Sequence, residues 1–315
     1  VHEVIHNWWY GILANNERKE PLMDESLTSY YETRIVNEFT SDSIDIPFSK
    51  YLGLDRLPKD YLKKYIILNQ YRTNLSQKMN LPAVEYSTIN YYAMMYAKGD
   101  IDFQLLEKYL GRDNFDRTLQ TFYKKYQFQH TSLNDLKIHF AQNASRETDW
   151  FFEEVLGKNA LADKQEKKVE QENGILKITL NNRGNLKTAT EVSLVDKDLN
   201  VLSSYLTDAF TGEKTIEIQD SVDAYAVLVD PQWLGMEQNR KNNFYKINGL
   251  HKVKPLQIRL FGAVEDPTKN QLFVSPVLGG NQYDGFMLGL SLYNRVFPVK
   301  NFEYQLQPIW GFKSK

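Results

Sequence analysis

The chain has 315 residues, of which 42% are hydrophobic and 25% charged, with a formal net charge of −2 and no cysteine. This is ordinary globular composition, enough for about two domains. The near-neutral balance offers no field for nucleic acid, and the missing thiols exclude a disulfide scaffold and a thiol nucleophile.

No apolar run reaches the length of about eighteen residues that a membrane-spanning helix needs. No signal peptide opens the chain. It begins one residue before its first candidate ligand and therefore reads as a fragment, with upstream parts not included. Basic pairs such as Lys63-Lys64 and Lys167-Lys168 read as solvated faces.

The first residues carry the chemistry. His2-Glu3-Val4-Ile5-His6 is followed by eighteen residues and then Glu25. Histidines four apart on a helix lie about 40° apart around the axis and roughly 6 Å along it. Both rings can therefore reach one metal ion, and Glu3 sits at the edge of the same face. Glu25 would add a third protein ligand from a second helix. Three ligands and an open position is the layout of a catalytic zinc, whereas structural zinc is usually closed by four, often cysteines. Val1, Val4, Ile5, Trp8, Trp9 and Ile12 follow a helical rhythm, which predicts a stripe packed on a core with the histidines at its rim.

The wider stretch, HEVIHNWWYGILANNERKEPLMDESLTSYYE, resembles the aminopeptidase N family of gluzincin metallopeptidases. It departs from the family pattern at Ser26, where a Gly is usual, and at Leu22, where a Trp is common. The resemblance implies zinc bound by His2, His6 and Glu25, with Glu3 as general base. The implied activity is zinc-dependent peptide hydrolysis that removes N-terminal residues from peptides. Asp24, beside a ligand, reads as a supporting or helix-capping group rather than a fourth ligand.

Further along, Pro21 precedes a second helix whose Leu27, Tyr31, Ile35 and Phe39 would pack back on the first. Residues 40 to 58 read as a long loop. Tyr61, Leu62, Tyr65, Ile66 and Leu68 mark another helix. A long helical pattern runs from Thr88 to Leu110 and contains Tyr96-Ala97-Lys98-Gly99. This is similar to the family's Tyr-x-Lys-Gly stretch, whose tyrosine steadies the transition state. The resemblance implies that Tyr96 takes that role here, by donating a hydrogen bond to an oxyanion. Tyr92, one turn earlier, is the alternative. More amphipathic helices follow to Asn143, and Trp150, Phe151, Phe152, Val155 and Leu156 form one more buried patch. The Asp149-to-Phe152 run resembles the end of the family's catalytic domain. His130 and His139 lack ligand partners four residues on and read as surface or capping groups.

Residues 162–173 read as a charged linker, after which the periodicity turns from helical to alternating. Strands are predicted at Ile175–Leu180, Glu191–Val195, Thr215–Ile218 and Tyr225–Val229, a small antiparallel sandwich. Gly235-Met236-Glu237-Gln238-Asn239 superficially resembles the family's amine-binding G-x-M-E-N strand, but it lies in the wrong place. In residues 256–315, two stretches alternate on two faces, Phe286 to Tyr293 and Phe302 to Phe312. Such aromatic-rich alternation is read either as an ordinary soluble extension or as the beginning of a membrane barrel.

The expected architecture is α+β and multidomain. The helical half of a gluzincin catalytic domain (1–161) precedes the linker (162–173), an antiparallel β-sandwich (174–245) and a β-rich C-terminal extension (246–315). The expected cofactor is zinc and the expected partner a peptide substrate. Membrane association through sequence beyond residue 315, in an extracytoplasmic or membrane-associated setting, is a further expectation. Two other functions stay open: an endopeptidase using the same zinc, and a non-catalytic adhesion or assembly module with a vestigial site. The fragment by itself is expected to be inactive, because the other wall of the cleft would lie upstream.

Overall fold

Helix α1 (His2–His6) runs straight into a π-helical turn, Asn7–Ile12. A second π-helical turn, Leu22–Ser26, leads into α2 (Leu27–Phe39). Next come α3 (Tyr61–Arg72) and α4 (Thr88–Tyr91), the latter capped by the Ser87 side chain. Helix α4 continues as a π-helical segment, Tyr92–Lys98, and then as α5 (Gly99–Leu110). The expected long helix from Thr88 to Leu110 is therefore present, wound more loosely in its middle. Helices α6 (Arg112–Tyr126) and α7 (Leu133–Asn143) follow, α7 beginning with a Ser132/Asp135 capping box. The computed structural model describes residues 1–39, 60–172, 174–219, 224–247, 254–296, 299–300 and 302–313. The loop expected at residues 40 to 58 lies outside them.

The described residues divide into two units. In the first, the helices bury a core that includes Leu27, Tyr30, Met94, Phe103, Phe115 and Phe151. A buried carboxylate ties three helices together. Asp100 accepts from Thr33 on α2 (2.7 Å), Lys63 on α3 (2.6 Å) and Gln104 on its own helix (2.8 Å). Such a group is costly to bury unless its partners are all in place.

The stripe expected on α1 is only half realised. Ile5 and Trp9 are buried, and Trp9 stacks on Tyr31 of α2 at 5.6 Å. Val1, Val4 and Trp8 are exposed, because α2 covers one flank of the first helix and not the whole apolar arc. Phe39, at the far end of α2, is exposed as well.

The first unit continues into two sheets. Strands β1 (Lys164–Glu172), β2 (Ile175–Asn182), β3 (Glu191–Val195), β4 (Val201–Leu206), β5 (Gly212–Gln219), β6 (Ala226–Val229) and β7 (Phe244–Lys246) are arranged as β1-β2-β5 and β4-β3-β6-β7. All the described pairs in these two sheets are antiparallel. Leu176, Ile178 and Leu180 on one sheet meet Val192, Leu194 and Val227 of the other in a shared core, as a small sandwich requires.

Residues 164–172 are not a linker. They pair with β2 along nearly its whole length. Their composition hid this: only Val169 is apolar, because β1 is an edge strand that leaves Lys167, Lys168 and Gln171 exposed, although Lys164 at its start is fully buried. Strands β4 and β7 were also not expected. Both lie at sheet edges, where alternation is weakest.

The second unit holds β8 (Leu256–Leu260), β9 (Asn270–Asn281), β10 (Gly285–Tyr293), β11 (Gln305–Leu306) and β12 (Ile309–Gly311). The order is β11-β10-β9-β8, with β12 also on β10. Strands β9 and β10 form a long antiparallel hairpin, whereas β8 pairs with β9 in parallel. The strand expected from Phe302 to Phe312 is broken before Ile309 by Pro308, which has no N–H for a ladder. Among the described residues this sheet is open, with no barrel.

Candidate active site

The residues of the opening motif converge. Within α1, the one-turn spacing sets the rings of His2 and His6 edge-to-face at 4.8 Å. Glu25, in the π-helical turn before α2, places Oε2 3.3 Å from His2 Nε2 and 3.5 Å from His6 Nε2. One ligand atom from each of the three lies within 4.8 Å of the others, and all three side chains are partly exposed. Two imidazole nitrogens and a carboxylate oxygen converging in this way form a donor set suited to zinc.

The backs of both imidazoles are held by carboxylates. Glu32 Oε2 lies 3.0 Å from His2 Nδ1, and Asp24 Oδ1 lies 2.6 Å from His6 Nδ1. Thr28 Oγ1 is 3.4 Å from the same His6 nitrogen. A carboxylate behind the ring fixes its tautomer and leaves Nε2 free to coordinate. Asp24 is buried, which raises its carboxyl to about 6 against the opposing pull of His6. It stands behind a ligand, as its position beside Glu25 suggests. Glu32 was not anticipated. It lies seven residues beyond Glu25, two helical turns along the same face, and that spacing was the available signal.

Tyr96 donates its phenol to Glu25 Oε1 at 2.5 Å, and its ring lies 5.4 Å from that of His2. Burial and the neighbouring Glu25 carboxylate push its pKa well above the usual phenol value, so it remains a hydrogen-bond donor across the neutral range. The second phenol at this carboxylate is Tyr91, at 3.4 Å, rather than Tyr92. Tyr92 is half-exposed and stacks on Tyr96 at 5.7 Å, because the π-helical segment shifts the register after Tyr91. Glu3 is exposed, next to His2.

The rest of Tyr96-Ala97-Lys98-Gly99 supports this geometry. Lys98 is buried and donates to Asp102 Oδ2 at 2.6 Å. Gly99 packs directly on Ser26, where an added Cβ would fall 2.1 Å from Oγ and 3.2 Å from Cα. Ser26 Oγ in turn donates to Met95 O at 2.8 Å. The segment carrying Glu25 and the segment carrying Tyr96 are thus pinned at one contact.

Other candidates fall away. His139 is buried, with Nε2 3.1 Å from Thr118 O and 3.0 Å from Thr121 Oγ1. It is a core histidine, not a surface one, because the Phe122 and Tyr126 rings enclose it. His130 is exposed, with Nδ1 2.8 Å from Ala14 O. Glu237 is fully buried, accepts from the Lys164 N–H at 3.2 Å and cannot meet a substrate. Among the described residues, His2, His6 and Glu25 are the one cluster suited to a metal.

Residues 1–155 match the model of the peptidase family M1 domain. This is the domain of the aminopeptidase N family of gluzincins, and the match covers just under half of the chain. A crystal structure of Legionella pneumophila aminopeptidase A in complex with aspartic acid is similar at 13% identity and a TM-score of 0.48. The similarity covers 70% of this chain but only 24% of that one. No curated protein matches the chain.

Proposed function

We propose that the protein carrying this chain is a zinc metallopeptidase that removes N-terminal residues from peptides. The observation that carries the proposal is the convergence of both Nε2 atoms on Glu25 Oε2, at 3.3 and 3.5 Å, with each Nδ1 backed by a carboxylate. His2, His6 and Glu25 would hold the zinc, which when bound supplies a Lewis acid that polarises a carbonyl and acidifies water. Glu3 accepts the proton of the attacking water and passes it to the leaving amine. Tyr96 offers its O–H to the oxygen of the tetrahedral carbon, turning away from Glu25 Oε1 to do so.

Exopeptidase action rests on the family match of residues 1–155. The test is metal analysis of the purified protein, with Glu3→Gln assayed on amino-acid arylamides and on blocked peptides. Bound zinc, cleavage of free-amine substrates only, and loss of cleavage with zinc retained in Glu3→Gln are the expected results. Cleavage of blocked peptides would assign an endopeptidase instead. Zinc without hydrolysis of either would make the site vestigial.

A further inference from the structure

The β8–β12 sheet leaves a wholly apolar stretch of one face exposed. Its two faces can be sorted by register: Leu288 stands opposite Leu278 on β9 and Trp310 on β12, and Leu260 opposite Val274. Every position on this face from Leu272 to Gly280 in β9, and from Phe286 to Leu292 in β10, is apolar or glycine. The other face carries the side-chain hydrogen bonds, from Ser275 to Tyr293 (3.0 Å) and from Gln305 to Ser291 (3.0 Å).

Exposure separates the two faces. On the hydrogen-bonded face Phe273 is 0% and Ser291 3% exposed, whereas Leu278 is 67%, Leu290 51% and Trp310 71% exposed on the apolar one. In an antiparallel sheet that meets water on one side, the apolar face is the one covered and the polar face the one solvated. Contiguous exposed patches of this kind mark a binding surface.

We propose that this apolar face rests on the hydrocarbon of a lipid surface. Two observations favour lipid over a protein partner. Protein interfaces carry about one hydrogen bond per 100–200 Å², and this face offers no polar side chain from Leu272 to Gly280 or from Phe286 to Leu292. Aromatic side chains gather at the hairpin end, where Phe286 stacks on Phe312 at 5.9 Å beside the exposed Trp310 and Tyr283. Aromatic residues favour the headgroup level. Because the described sheet is open, its edge groups have to stay within reach of water and headgroups, so contact is made by the face. This inference is independent of the peptidase reading.

The test is flotation of the 315-residue chain with phosphatidylcholine vesicles at low and high salt. Most of the chain is expected to float, equally at both salt concentrations, since an apolar contact is not screened. Leu278→Glu and Leu288→Glu should each cut the floated fraction at least tenfold, whereas Gln305→Glu, on the opposite face, should leave it unchanged. Brominated acyl chains should quench tryptophan fluorescence, and Trp310→Phe should abolish most of that quenching while circular dichroism stays the same. Absence of flotation, equal loss from both faces, or quenching that survives Trp310→Phe would overturn the proposal. So would a concentration-dependent dimer that buries Trp310 without vesicles.

Discussion

Glu32 holds His2 from behind, its Oε2 3.0 Å from the Nδ1 of a ring whose Nε2 faces Glu25. The carboxylate fixes the tautomer that a metal needs and makes the coordinating nitrogen more basic. Glu32→Gln should therefore weaken zinc binding by about 10- to 100-fold while leaving the unfolding midpoint of the metal-free chain nearly unchanged. Competition with a chelator of known affinity measures this. Unchanged zinc affinity would remove Glu32 from the site.

Tyr96 and Tyr91 both reach Glu25 Oε1, at 2.5 and 3.4 Å. Only the nearer one makes a short bond, and its ring packs beside His2. Tyr96→Phe should lower kcat on a free-amine arylamide by about 100- to 1,000-fold, the usual cost of losing one oxyanion donor. Zinc content should hold. Tyr91→Phe should cost about tenfold or less, since a bond of 3.4 Å is weak. A larger effect at Tyr91 than at Tyr96 would reverse the assignment.

What the sequence disclosed and what it hid follow from the kind of signal each residue gives. His2, His6 and Glu25 were legible because metal chemistry demands particular side chains at helical spacing. The π-helical segments were not, since the sequence carries no separate pattern for them, and this is why Tyr92 competed with Tyr96 where Tyr91 is the real neighbour. Strands β2, β3 and β6 face a shared core and alternate or run apolar, so they could be read. Strand β1 could not, since an edge strand made almost wholly of Lys, Glu and Gln looks the same as a linker.

Gly99 is placed by contact rather than by backbone conformation. Its missing Cβ leaves room for Ser26, whose Oγ and Cβ would lie 2.1 and 2.3 Å from an added methyl. Gly99→Ala must push apart the two segments that carry Glu25 and Tyr96. The expected cost is about 1–3 kcal/mol of overpacking, together with weaker zinc binding. Gly174→Ala, in a turn with open space around it but φ of +79°, serves as a control: it should cost stability without touching zinc affinity. Urea unfolding and zinc titration separate the two. If Gly99→Ala lost stability but kept full zinc affinity, the contact with Ser26 would not be positioning Glu25.

Lys64 gives a pH test of the first unit. Its ammonium is buried and donates to Gln232 O at 2.9 Å. Desolvation lowers its pKa from 10.5 to about 8, against the pull of Asp60 and Asp230. Between those two values the unfolded chain holds a proton that the folded chain has released. Stability must then rise with pH across the interval. The contribution is fully present above the unfolded value and is lost as pH falls through about 8. Lys64→Met removes the titration while keeping most of the side chain's length. The stability of the wild type minus that of Lys64→Met should therefore climb from pH 8 to pH 10 and stay flat between pH 6 and pH 7. Buried phenols such as Tyr30 and Tyr71, which burial holds above the usual range, act equally in both proteins and cancel in the difference. Urea midpoints at four pH values suffice, and parallel curves for the two proteins would show that Lys64 stays charged throughout.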